Sequence, residues 1–368
     1  MTNIFKGRLG IIQRVKPSYR VPFFDHFAQH CSDGLGLFWG KALPVESIPT
    51  DAGLNNARSF EVTNRNFGDP SWAGYLCYQQ GLIGSVKEWK PNALIVEANF
   101  RYLSSYRVLA WAHKKKIPLI GWGLGAKTLP SPLLQVRNAF IRQFDSMVAY
   151  SEAGAAEYAA IRNDRFRVFV AKNAVTDAPT EPMPARSVNG PIRVLFVGRL
   201  QARKRVDLLI RCAEKLPAGT VSELVIVGDG PERAVLEQEA RAHITSTRFT
   251  GYLEGEPLAN EFRKADILVL PGTGGLALQQ AMSYGLPVIV AEGDGTQNDL
   301  VTPANGWQVK PGSESDLVAA LSTVITNRHL LPVMGNESYR IVKEEINITN
   351  MVHVFMDAIQ SAKENNGK

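Results

Sequence analysis

Twice along this chain, apolar runs of strand length alternate with amphipathic runs of helix length, and a proline-rich break separates the two series. Strands spaced by helices return in parallel through crossovers, and a parallel sheet is buried on both faces. The first series places strands at 8–15, 75–78, 93–97, 117–122, 147–150 and 167–170, with helices at 21–31, 104–115 and 133–144. The second places strands at 193–197, 223–227, 248–250, 267–270 and 288–291, with helices at 206–215, 232–242, 257–264 and 276–284. Each series predicts a doubly wound α/β domain.

Residues 178–191 carry four prolines and no apolar periodicity, which predicts a linker. The tail at 347–363 sets Met351, Val354, Phe355 and Ile359 on one helical stripe that needs a surface to cover it. The expected organisation is a Rossmann-like domain over 1–177, the linker, a second Rossmann-like domain over 192–345, and a helix over 346–368 packing back on the first domain. Two such domains facing a central cleft would bind ligands beyond their strand ends.

The net charge of +6 and pI near 9.1 suit an anionic partner. No helix-turn-helix, zinc or recognition-helix signature accompanies that charge, so nucleic acid is not the expected partner. Cys31, Cys77 and Cys212 are scattered, odd in number and without a CxxC pair, which predicts buried free thiols in a reducing compartment. The N-terminal Met-Thr-Asn-Ile-Phe-Lys-Gly-Arg lacks an apolar signal core, and no run reaches about 18 apolar residues. A cytoplasmic protein is the expectation.

Three loops carry candidate chemistry. Gly198-Arg199-Leu200, with Lys204 beyond, directly follows the strand ending at Val197, where two cations suit a diphosphate. Leu270-Pro-Gly-Thr-Gly-Gly-Leu276 lies between a buried strand and a helix, where glycine amides approach a phosphate closely. Val225-Ile-Val-Gly-Asp-Gly-Pro-Glu-Arg233 imitates a dinucleotide fingerprint, but Arg233 stands at its third glycine and no acid ends the next strand. It reads as a structural turn.

In this order and spacing, Phe196-Val-Gly-Arg-Leu200 with Lys204, Leu224-Val-Ile-Val-Gly-Asp-Gly-Pro231 and Phe249-Thr-Gly-Tyr252 resemble family-four glycosyltransferases, which have the GT-B fold. The likeness continues through Ala265-Asp-Ile-Leu-Val-Leu-Pro271, Gln280-Ala-Met-Ser-Tyr-Gly-Leu-Pro-Val-Ile289 and Asn305-Gly306, over roughly residues 192–330. The first half matches more loosely, through Gln13-Arg14, Tyr19-Arg-Val-Pro-Phe-Phe24, Gly121-Trp-Gly-Leu-Gly125 and Lys172-Asn-Ala-Val175. The resemblance implies that Arg199 and Lys204 hold a donor diphosphate. It implies donor contacts from Gly198, Tyr252, Gly272, Thr273, Gly274, Gly275, Leu276 and Gln280. The donor would be a UDP- or GDP-linked hexose, with no cofactor beyond it.

The family's acidic pair falls here on Gly272 and Gln280. Gln280 keeps a neutral hydrogen bond to ribose, whereas Gly272 offers no side chain. Trp122 stands where many members carry a histidine, and none of the six histidines lies in an obvious catalytic context. The chain has no Asp-x-Asp pair to hold a metal, so Arg199 and Lys204 would take that charge. Chemistry of this kind rests on positioning and on stabilising the leaving diphosphate. The implied reaction is retaining, metal-independent hexosyl transfer to a hydroxyl on a glycan, polysaccharide or lipid-linked acceptor.

Arg14, Tyr19, Arg20, Glu97, Asn99, Arg101 and Trp122 fall at strand ends of the first domain and form the candidate acceptor pocket, with Trp122 stacking on a sugar and the arginines meeting a phosphate. The helix at 133–144, with Arg137, Arg142 and Lys114, Lys115, Lys116 and Lys127 nearby, reads as a solvated basic face. Its second reading is peripheral docking on the anionic inner face of a membrane. Two alternatives to transfer stay open: a nucleotide-sugar epimerase on the same fold, and a non-catalytic binding relative.

Overall fold

A computed structural model of the chain describes residues 4–366 apart from 47, 69–73, 127–129, 162–166, 243–245, 273–275 and 294–295. The chain divides into two compact units, one of residues 1–175 with 348–368, the other of 176–347.

In the first unit the strands are β1 (Leu9–Val15), β2 (Leu35–Gly40), β3 (Arg58–Glu61), β4 (Thr63–Phe67), β5 (Leu76–Gln80), β6 (Ala93–Glu97), β7 (Leu119–Gly123), β8 (Ser146–Ala149) and β9 (Arg167–Val170). Among the described residues, seven form a sheet in the order β3-β2-β1-β6-β7-β8-β9 with every pair parallel. β4 and β5 make a separate antiparallel ribbon. Periodicity places no strand at 35–40, because glycines interrupt the apolar run. Those glycines serve packing: a β-carbon on Gly36 would meet the Trp89 indole at 2.9 Å.

The helix Ile348–Asn366 completes this unit. Its Phe355 ring lies 5.4 Å from Phe23, 5.8 Å from Phe27 and 4.9 Å from Trp122. Ser146 Oγ donates to the Ala358 carbonyl at 2.9 Å, so the helix is bonded to the strand layer as well as packed on it. On the opposite layer, the helix Ser131–Ile141 leaves Val136 exposed but buries Arg137. The solvated basic face expected there therefore lacks one of its two arginines.

The second unit holds β10 (Ile192–Val197), β11 (Val221–Val227), β12 (Thr247–Gly251), β13 (Ile267–Leu270), β14 (Val288–Ala291) and β15 (Gly306–Val309), all parallel in the order β12-β11-β10-β13-β14-β15. The segment 178–191, read from sequence as a linker, is tied by side-chain hydrogen bonds to the second unit. Arg186 donates to the carbonyls of Phe262, Ala265, Tyr284 and Gly285. Tyr339 donates to the Glu181 carbonyl at 2.6 Å and Arg328 to that of Ser187 at 2.9 Å. Backbone carbonyls collect the side-chain donors that an aperiodic, proline-rich segment cannot bind through regular structure. No single helix among the described residues is long and apolar enough to cross a membrane.

Candidate functional site

The order of the second sheet fixes where a ligand can enter. β10 is the first strand in sequence yet sits mid-sheet, between β11 and β13, so the connections diverge there and leave a crevice beyond the strand ends. The loops following β10 and β13 flank that switch point. They hold the two motifs expected to grip a diphosphate.

These loops touch. A β-carbon on Gly272 would meet the backbone of Arg203 and Lys204, at 2.5 Å from the Lys204 carbonyl carbon. Glycine is required here by closeness rather than by conformation, and an acidic side chain at this position has no room without moving the Lys204 loop. Thr273, Gly274 and Gly275 lie outside the described residues. Leu276 and Gln280 are half-buried, Leu276 capping and Gln280 within the helix Ala277–Ser283. Neighbouring Gln279 is buried and ties Thr176 to Ile346 through its amide, a structural role.

Lys204 ends the short 3-10 turn Ala202–Lys204 and is only 9 % exposed. Burial, with the like charge of Arg203 adding to it, pulls its pKa down to about 8. Arg199 is half-buried one residue after Gly198, whose amide donates to the Val227 carbonyl at 3.0 Å.

The third loop acts as a brace. β-carbons on Gly228 and Gly230 would crowd the carbonyl carbons of Gly198 and Leu200 at 2.9 and 2.8 Å, and both glycines have positive φ. The Leu200 amide donates to the Asp229 carbonyl at 2.9 Å, and the Glu232 amide to the Leu200 carbonyl at 3.1 Å. The glycines that imitate a dinucleotide fingerprint thus let one backbone lie against another. Tyr252, beyond β12, is 67 % exposed and donates to Glu254 at 2.8 Å.

The first unit brings its candidates to the equivalent edge but disposes of several differently. Arg14 is not available to a phosphate: its guanidinium pairs with both oxygens of Glu46, a partner distant in sequence with no motif to announce it. Glu97 accepts from the Arg14 amide at 2.9 Å and from the Tyr102 phenol at 3.3 Å, bridging the ends of β1 and β6. Asn99 Oδ1 accepts from the amide and Nε of Arg101, both at 3.2 Å.

Trp122 cannot stack on a sugar. Its ring is 0 % exposed, enclosed by Phe23, Tyr150 and Phe355. The covering ring comes from the C-terminal helix, more than two hundred residues away, which no local reading of β7 reveals. Arg20 lies over the Trp122 ring at 4.5 Å and donates to the Tyr150 phenol at 2.7 Å. Sequence reasoning missed Tyr150; its only signal is its position immediately after a buried strand. Among the described residues no cluster of three His, Cys, Asp or Glu could hold a metal ion.

Residues 179–341 match the family described as "Glycosyl transferases group 1". Glycogen synthase of Mycobacterium tuberculosis is 27% identical over 307 residues, 76% of this chain and 72% of that protein. A GDP-mannose-dependent alpha-mannosyltransferase of Mycolicibacterium smegmatis is 34% identical over 157 residues, 41% of this chain and 40% of that protein. Among solved structures, HepE of Anabaena in complex with UDP superposes with a TM-score of 0.70 at 15% identity, covering 96% of this chain and 99% of that one. That superposition shows the GT-B fold.

Proposed function

We propose that this protein, whose residues 179–341 match the group 1 glycosyltransferase family, moves a hexose from a UDP- or GDP-linked donor to a hydroxyl acceptor, with retention and without a metal ion. The observation that carries this reading is the contact of the Lys204 loop with Gly272 at the switch point of the second sheet. It sets the buried Lys204 loop against Gly272 at the switch point, where this reading puts the diphosphate. One relative is named as GDP-mannose-dependent, and HepE is solved with UDP-glucose, which supports a hexose and leaves both bases in the proposal.

In the proposed reaction, Arg199 and Lys204 hold the diphosphate and offset the charge that grows as the glycosidic C–O bond breaks. The departing phosphate oxygen takes the proton of the acceptor hydroxyl, which attacks from the same face of the sugar. No side-chain base is needed. The full chain should be incubated with UDP-glucose or GDP-mannose and a panel of glycans and lipid-linked sugars, with EDTA present. Transfer with an unchanged anomeric configuration supports the proposal. Conversion of the donor alone supports an epimerase, and tight nucleotide binding with no turnover across the panel supports a non-catalytic relative.

A further inference from the structure

Arg20 is 8 % exposed, and among the described residues its titratable neighbours are the phenols of Tyr19 and Tyr150, with no carboxylate. Its Nη2 donates to the Tyr150 phenol, and its planar face is lined by the rings of Trp122 at 4.5 Å, Tyr150 at 5.2 Å and Tyr19 at 5.8 Å. Its Nη1 is sealed from solvent without a hydrogen-bond acceptor. The Trp122 Nε1–H, in the same aromatic layer, is likewise buried and unpartnered. Burial pushes the Tyr150 phenol up, so it stays neutral and supplies no balancing charge. Two orphaned donors and one uncompensated cation at the carboxyl edge of a parallel sheet are costly to keep. Such groups mark a missing acceptor of opposite charge.

We propose that Arg20, with the Trp122 indole N–H and the Tyr150 phenol, binds an oxyanion of the acceptor, a phosphate or a carboxylate, so that the protein glycosylates acidic acceptors rather than neutral sugars. This rests on the transferase reading above and names its acceptor class. A guanidinium stacked on aromatic faces is held flat, and its unpartnered Nη1 edge is the one that forks onto an oxyanion. Tyr19, 40 % exposed, is the outermost of the three rings. Phosphate and carboxylate fit the same fork.

The test is calorimetry on the full chain with UDP present, titrating glucose 6-phosphate, glucuronate and glucose. Wild-type protein should bind one or both anions at least about tenfold more tightly than glucose, the gap expected for a charge-assisted bond. The preferred anion identifies the source of the oxyanion. Arg20→Gln should remove that preference while leaving UDP affinity unchanged. Trp122→Phe, which removes the N–H donor together with part of the buried indole, should weaken anion binding severalfold, and melting curves confirm that it is folded should Arg20→Gln unfold. Equal binding of glucose and the anions, or a preference that survives both substitutions, overturns the proposal. Loss of UDP binding in the wild type would instead count against the transferase reading.

Discussion

Gly272 and Lys204 meet backbone to backbone: a β-carbon on Gly272 would stand 2.6 Å from the Lys204 carbonyl oxygen. That contact leaves no room for a side chain at position 272, where the resemblance puts the first acid. The Lys204 loop occupies the volume into which an acidic side chain would project.

Restoring the acid should therefore do harm. Gly272→Glu is expected to cost about 1–3 kcal/mol of stability through overpacking and to weaken nucleotide binding by displacing the Lys204 loop. Gln280→Glu, at a half-buried helix position, should be tolerated. Urea denaturation of both variants, with UDP titrations alongside, checks the contrast.

Nucleotide affinity should depend on pH around the lowered pKa of Lys204, near 8. Below that value the free protein carries the ammonium; above it the amine is neutral and the diphosphate contact weakens. Affinity should fall from pH 7 to pH 9, by up to about tenfold if one charge-assisted bond is lost. Because the bound diphosphate favours the ammonium, binding at pH 8.5 should take up protons, measurable by calorimetry in buffers of different ionisation enthalpy. Lys204→Met should abolish both effects.

Gly228→Ala should cost about 2 kcal/mol or more, since its φ of +134° and its approach to Gly198 both oppose a side chain. The same change should loosen the Arg199 loop, so that donor affinity falls together with the melting temperature. An unchanged melting temperature would contradict the bracing role.

Arg186→Ala should destabilise the second unit by about 2–4 kcal/mol, because four backbone carbonyls lose a charged donor. A free linker would show no such loss. Denaturation of the full chain, followed for each unit by limited proteolysis, separates the two cases.

Much of this architecture was legible in sequence because parallel strands are continuous apolar runs, and the runs at 93–97, 193–197 and 267–270 announce themselves. β2 was hidden because its glycines answer to Trp89, a partner across the layer. The diphosphate loops were legible as motifs, but the steric reason for Gly272 was not, since it lies in the path of a loop nearly seventy residues earlier. Long-range partners decided the rest. Glu46 occupies Arg14, Phe355 covers Trp122, and carbonyls of the second unit hold the proline-rich stretch; none of these pairings leaves a trace in local periodicity or spacing.

Titrating UDP and GDP into the wild type, Arg199→Ala and Lys204→Ala tests the central claim most directly, with melting curves confirming that each variant is folded. The account predicts that each substitution raises the nucleotide Kd about tenfold or more, the loss of roughly 1.4 kcal/mol or more of binding. Folded variants that bind both nucleotides as tightly as the wild type would contradict it.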